Sequence, residues 1–137
     1  IHAQWDHPDT VRQVGELAAS SPQARLMVSH CGSNASAADM RRLFELHPNV
    51  VCDLSARGWP LQKNRHTVYD DHELARDWQQ LIEDHPGRFA VGVDLAADPT
   101  AYEASVQAIR SGLLANLSPA TAEKLAYRNA EDWFGLR

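Results

Sequence analysis

One apolar run in the second half of the chain constrains the fold more than any other feature. The run covers residues 89–93 and ends on the carboxylate of Asp94. Strands that are apolar on both faces belong to parallel sheets covered by helices. Where such a sheet closes into a barrel, the active site lies at the carboxyl ends of the strands. The run therefore predicts a buried parallel strand, and Asp94 is the first candidate functional residue.

The rest of the chain alternates between strand and helix patterns. Strands are predicted at residues 1–2, 25–29, 50–54 and 89–93, each followed by a segment with helical spacing of apolar residues, and an extra helix ends the chain. This alternation is typical of βαβ units in an α/β fold with a parallel sheet. A complete (β/α)8 TIM barrel takes about 250 residues. A chain of 137 residues that starts with the end of a strand therefore predicts a single partial domain, about half of such a barrel.

Charge and cysteine usage exclude several classes of protein. The 18 acidic and 13 basic residues give a net charge of -5, which argues against a nucleic-acid partner. No apolar stretch approaches the roughly 18 residues that a membrane span needs. Cys31 and Cys52 lack the CxxC spacing, so we expect small buried thiols without a disulfide. These features together predict a cytoplasmic protein.

Three predicted strands end in a side chain that binds metals or protons, namely His2, His30 and Asp94. The strand ends of a parallel barrel converge on one mouth, which predicts that these groups lie close together. Two imidazoles and a carboxylate suit zinc or a similar divalent ion, which lowers the pKa of a bound water to about 7. Two alternatives stay open: His30 as a histidine bonded to backbone, and His2 as an exposed terminal residue.

Other side chains near the strand ends have more than one interpretation. Arg57 and Trp59 follow the strand at 50–54 on the side where a substrate would bind, and Arg57 suits a bidentate clamp on a substrate carboxylate. A solvated loop arginine is the alternative. Asp53 lies inside the strand, where we expect it to pair with a buried polar partner. Ser55 lacks the glycine pattern of a nucleophile elbow.

Several motifs together resemble one enzyme family. They are the strand-end His2, SHCG at 29–32, PNVVCDLSA at 48–56, RFAVGVD at 88–94 and AYRNAEDWFGL at 126–136. In order and spacing they resemble the C-terminal half of the amidohydrolase-2 group within the amidohydrolase superfamily. The resemblance implies a (β/α)8 barrel with one or two divalent metals at its mouth. It also implies hydrolysis of amides, esters or lactones, or decarboxylation of aromatic and related acids.

The resemblance also implies roles for the strand-end residues. His2 matches the metal ligand on the fifth strand. His30 matches the sixth-strand histidine, which binds a second metal or orients the water or the substrate. Asp94 matches the eighth-strand aspartate, which contacts the metal and takes a proton from its water. We therefore expect a metal-dependent hydrolase or decarboxylase with a divalent metal, zinc by its donor set, and a small carboxylated substrate.

One departure from the family pattern is large. Family members carry an H-x-H pair on the first strand, and none of the 137 residues supplies it. We expect a missing N-terminal half or a second chain to complete the barrel and its metal ligands. Two other hypotheses for the function stay open. One is a lactonase- or isomerase-like member of the family, and the other is a non-catalytic half-barrel whose sheet edges pair with a second copy.

Overall fold

Three parallel strands form the sheet of the computed structural model, which describes residues 1–58, 67–94 and 99–136. They are β1 (Leu26–Val28), β2 (Val50–Asp53) and β3 (Phe89–Ala90), and they lie side by side in chain order. Val28 is opposite Cys52, and Cys52 is opposite Phe89. Helices occupy the connections between the strands, so the predicted α/β class with a parallel sheet is confirmed.

The sheet is smaller than the sequence predicts. The strand predicted at residues 1–2 is a single parallel bridge between His2 and Ser29. The strand predicted at 89–93 ends at Ala90, because the N–H of Val91 donates to the carbonyl of Leu125, 3.2 Å away in the C-terminal helical segment, and leaves the sheet ladder. The half-barrel itself stays a prediction.

Six α-helices are present in the described part of the chain. They are α1 (Pro8–Ser20), α2 (Ala37–Leu46), α3 (Arg76–Asp84), α4 (Pro99–Ala108), α5 (Pro119–Glu123) and α6 (Asn129–Phe134). A π turn over Ile109–Leu113 extends α4, and a second over Lys124–Arg128 joins α5 to α6. Within the described residues, no helix is long and apolar enough to cross a membrane.

Local hydrogen bonds explain where α2 and α3 begin. Ser36 and Asp39 form a capping box at the start of α2, and each side chain accepts the other residue's backbone N–H. The helical spacing of apolar residues predicts this third helix from residue 71, but α3 begins later, at Arg76. The carboxylate of Asp70 accepts the N–H groups of His72 and Glu73 at 2.8 and 2.7 Å, and this turn competes with a helix.

The core joins the sheet to α2, α3 and the C-terminal helices. Phe44 of α2 packs edge-on against Phe89 of β3, with ring centroids 5.3 Å apart. The buried amide of Asn129 donates to the carbonyls of Pro86 and Phe89 at 2.8 and 2.7 Å. These two bonds fix β3 against α6, so the strand that leads to Asp94 is held on both sides.

Cys31 and Cys52 form a disulfide, so the prediction of two free thiols is wrong. Their Cα atoms are 5.0 Å apart and both residues are fully buried. The pairing arises because Val28 lies opposite Cys52 in the sheet, and the turn after β1 brings Cys31 back over β2. With this bond present, cysteine usage no longer supports the predicted cytoplasmic location, because cytosolic proteins rarely contain disulfides. The cytoplasmic location stays a prediction.

Candidate active site

The predicted strand-end residues lie together at the carboxyl edge of the sheet. Nε2 of His30 is 3.7 Å from Oδ2 of Asp94. The ring of His2 meets the ring of His30 edge-on, with centroids 5.1 Å apart. The Asp94 side chain is 55% exposed, whereas that of His30 is only 13% exposed. The arrangement therefore presents one open carboxylate beside one largely buried imidazole.

His30 and Asp94 both have a left-handed backbone. Their φ angles are 55° and 56°, a region that residues with a Cβ rarely adopt. Such conformations cost about 1–3 kcal/mol each and cluster at functional sites, where the surrounding structure holds them. Gly32, at φ 75°, allows the same turn to approach Trp5, because a Cβ there would overlap the indole ring. The turn that carries His30 is thus tightly constrained.

The hydrogen bonds of the His30 ring define its tautomer. Nδ1 lies 3.0 Å from the carbonyl oxygen of Ser55 and 2.8 Å from its hydroxyl oxygen. A carbonyl oxygen only accepts, so we place the proton of the neutral ring on Nδ1. Nε2 then carries a lone pair, and this lone pair faces Asp94.

Asp53 connects the backbone of this turn to Ser55. Its Oδ1 accepts the N–H of His30 at 3.4 Å, the N–H of Ser55 at 3.0 Å, and the hydroxyl of Ser55. The expectation that Asp53 pairs with a polar partner is confirmed. Burial, with a further contribution from the Asp53 charge, raises the pKa of the nearby Tyr69 phenol to about 12. Tyr69 is therefore neutral at physiological pH.

Arg57 is buried under the turn that carries His30. Its guanidinium donates to the carbonyls of Ala35, His30 and Cys31 at 2.8, 3.3 and 3.4 Å, and it lies 4.7 Å from the ring centre of Trp78. Only 1% of the residue is exposed, so the solvated-arginine interpretation is wrong. Burial lowers the pKa of Arg57 to about 10, which leaves it charged at neutral pH. Its role as a substrate clamp stays a prediction.

Sequence reasoning overlooked the part that Asp53 and Ser55 play in the site. The available signal was their position: both follow β2 directly, and carboxyl ends of neighbouring parallel strands meet at one edge. Trp59, the other predicted substrate-binding residue, lies outside the described residues.

The site contains ligand atoms of the right type for a divalent metal, but not a complete set of ligands. His2, His30 and Asp94 offer nitrogen and carboxylate ligands, as zinc prefers. Across residues 1–58, 67–94 and 99–136, however, no three His, Cys, Asp or Glu side chains form a group that could hold a metal ion. The described residues therefore do not by themselves form a whole metal centre.

The fold and the site define the class: an α/β protein with a parallel sheet whose strand ends carry a histidine–aspartate pair. The family model described as Amidohydrolase, of the amidohydrolase-2 type, matches residues 2–136, and the chain belongs to this family. The family recognised from the sequence motifs is thereby confirmed.

A solved structure supports the same fold. It is an amidohydrolase from Burkholderia multivorans with bound zinc, superposed with a TM-score of 0.60 at 20% sequence identity. The superposition covers 93% of this chain and 49% of that protein's chain. This chain thus spans about half the length of the relative. A search of curated proteins gave no match.

Proposed function

We propose that this chain supplies the C-terminal part of the active site of a metal-dependent hydrolase. The observation that carries the proposal is the proximity of His30 Nε2 and Asp94 Oδ2, 3.7 Å apart at the strand ends of a chain that belongs to the amidohydrolase family. Bound zinc in the Burkholderia multivorans amidohydrolase supports zinc as the cofactor. We assign His2 and Asp94 to the metal and His30 and Asp94 to proton transfer.

The chemistry of the pair follows from exposure and hydrogen bonding. Asp94 is open to solvent and suits a general base that takes a proton from an attacking water. His30 holds its proton on Nδ1, so Nε2 is free to accept a hydrogen bond from the water or from the substrate. The substrate class we propose is a small carboxylated compound, and decarboxylation of such a compound is the alternative outcome at the same site.

The remaining part of the site comes from outside this chain in our proposal. The described residues lack a three-ligand group, and the chain spans about half of the relative with bound zinc. An N-terminal half, or a second chain in its place, would supply the other ligands and the loops that select the substrate. The chain alone is then expected to bind metal weakly.

Replacement of the aspartate tests the proposal. In the longest native protein that contains this chain, Asp94→Asn should lower kcat by about 100-fold or more, because the general base is lost. Asparagine tolerates a left-handed backbone, so the variant should keep the fold. Asp9→Asn, at an exposed position on α1, is the control and should leave turnover unchanged.

Elemental analysis of the same protein provides a second measurement. We expect a divalent metal bound in stoichiometric amount, and less of it in His2→Ala. A metal-free native protein, or full turnover in Asp94→Asn, would contradict the proposed function. Product analysis with carboxylated esters, lactones and aromatic acids then distinguishes hydrolysis from decarboxylation.

A further inference from the structure

The hydroxyl of Ser55 lies between Asp53 and His30 and is within hydrogen-bond distance of both. We propose that Asp53 and Ser55 are positioning residues: the Asp53 carboxylate accepts a hydrogen bond from the Ser55 hydroxyl, so that the hydroxyl oxygen accepts one from Nδ1–H of His30. The Nε2 lone pair is thereby directed at Asp94. The catalytic meaning of this arrangement rests on the proposed function, whereas the arrangement itself does not.

A count of donors and acceptors supports the direction of each bond. An ionised carboxylate only accepts, so the bond between the Ser55 hydroxyl and Asp53 Oδ1 uses the hydroxyl proton. The hydroxyl then has only lone pairs to offer Nδ1, 2.8 Å away. The carbonyl oxygen of Ser55, 3.0 Å from Nδ1, also only accepts, so it too requires a proton on Nδ1. Both acceptors therefore favour the Nδ1–H tautomer.

Burial keeps water from replacing these bonds. Ser55 is 7% exposed, and the Asp53 side chain is 17% exposed. Gly92 packs directly over the pair, because a Cβ at position 92 would lie 2.9 Å from Cβ of Ser55 and 3.7 Å from Oδ1 of Asp53. The segment after β3 thus closes over Ser55, and the same segment continues to Asp94.

The hydrogen bonds of the Ser55 hydroxyl also argue against a role for Ser55 as a nucleophile. A nucleophilic serine gives its proton to the histidine base, with the proton pointing at a ring nitrogen. Here the proton points at Asp53 and the Nδ1–H points at the hydroxyl oxygen. Ser55 therefore orients His30 instead of attacking a substrate.

Imidazole ¹⁵N chemical shifts test the proposal without turnover. The longest native protein is labelled with ¹⁵N-histidine, and the His30 resonances are assigned by comparison with His30→Gln. Spectra are recorded above the ordinary titration range of histidine, as isolated and after removal of divalent metals by a chelator. A protonated ring nitrogen and one with a lone pair give clearly separated resonances, so each variant reports its tautomer.

Four proteins distinguish the contributions of the two residues. Wild type should show the Nδ1–H tautomer, and Ser55→Ala should keep it because the backbone carbonyl remains. In Asp53→Ala the freed hydroxyl can donate to Nδ1, and the Nε2–H fraction should rise in the metal-free protein. The double variant lacks that hydroxyl and should return to Nδ1–H.

Matched controls keep the outcome interpretable. Ser105→Ala removes another buried hydroxyl, which donates to the carbonyl of Ala101 within α4, and should leave the His30 shifts unchanged. If Asp53→Ala does not fold, Asp53→Asn replaces it, and a smaller rise in the Nε2–H fraction is expected. An Nε2–H tautomer in wild type, or no change on removing the Asp53 carboxylate, would overturn the inference. The shifts carry no information on turnover, so failure of the proposed function remains a separate result.

Discussion

At the scale of single residues, Arg57 holds together the backbone turn that carries His30. Its guanidinium bonds three backbone carbonyls around a turn in which His30, Cys31 and Ser33 all have positive φ. Carbonyls turned inwards by such a backbone need donors, since an unpaired buried polar group costs about 1–3 kcal/mol. Arg57 supplies them, and the face of Trp78 covers its charge. We infer that this arginine keeps His30 in its strained conformation.

Arg57→Lys should lower the free energy of unfolding by about 2 kcal/mol, because an ammonium cannot reproduce the forked geometry of the guanidinium. Urea unfolding measures the loss. Arg41→Lys is the control: Arg41 forms a partly exposed ion pair with Asp84, and its replacement should change stability by less than about 0.5 kcal/mol. Unchanged stability together with a raised KM would instead favour the substrate-clamp interpretation of Arg57.

Between elements, Glu83 connects α3 to the start of α5. Its carboxylate accepts the N–H of Ser118 at 2.6 Å and the hydroxyls of Ser118 and Thr121 at 2.9 and 2.7 Å. Burial alone would raise the pKa of Glu83, but these hydrogen bonds outweigh it and hold the pKa below its ordinary value of 4.5. A negative charge at a helix N-terminus is also favourable. The carboxylate therefore fixes the C-terminal helices to α3.

The lowered pKa of Glu83 predicts a pH dependence of stability. A carboxyl with a lowered folded pKa stabilises fully above its unfolded value and loses that contribution as the pH falls through the folded value. Glu83→Gln should therefore be less stable at neutral pH, and its disadvantage should shrink as the pH falls below 4.5. Thermal unfolding at a series of pH values measures this. Glu103→Gln, on the exposed side of α4, should parallel wild type throughout, and parallel curves for Glu83→Gln would contradict the prediction.

For the molecule as a whole, the Cys31–Cys52 disulfide links the turn after β1 to β2, two of the three places that bear the site. It ties the His30 turn to β2 immediately before Asp53, across a sequence separation of 21. The three-stranded sheet is small, and the chain spans about half of the relative with bound zinc. The disulfide therefore stabilises a sheet in which only a few strands contribute hydrogen bonds and buried contacts.

The double variant Cys31→Ala/Cys52→Ala should lose about 3 kcal/mol of stability, the loop-closure contribution of a ring of this length. Denaturant unfolding with and without a dithiol reductant provides the measurement. Reductant should weaken wild type and leave the double variant unchanged. Two alkylatable thiols in the unfolded, unreduced wild-type protein would show that the bond is absent.

The sequence by itself determined the class of fold, the family and the candidate residues. Periodicity predicted the helices and the positions of β1, β2 and β3, since the burial of one face leaves a regular apolar pattern. The motifs around His30, Asp53 and Asp94 identified the amidohydrolase family, which the family model confirms. Each of these features depends on residues that are close together in the chain, so the sequence alone is enough to predict it.

Only the tertiary structure decided how distant residues meet. The Cys31–Cys52 bond, the burial of Arg57 and the early end of β3 all depend on contacts between segments far apart in sequence. The same holds for the tautomer of His30, because its partner Ser55 lies on the neighbouring strand end. Such contacts follow from strand register and helix packing, which leave no trace in local spacing.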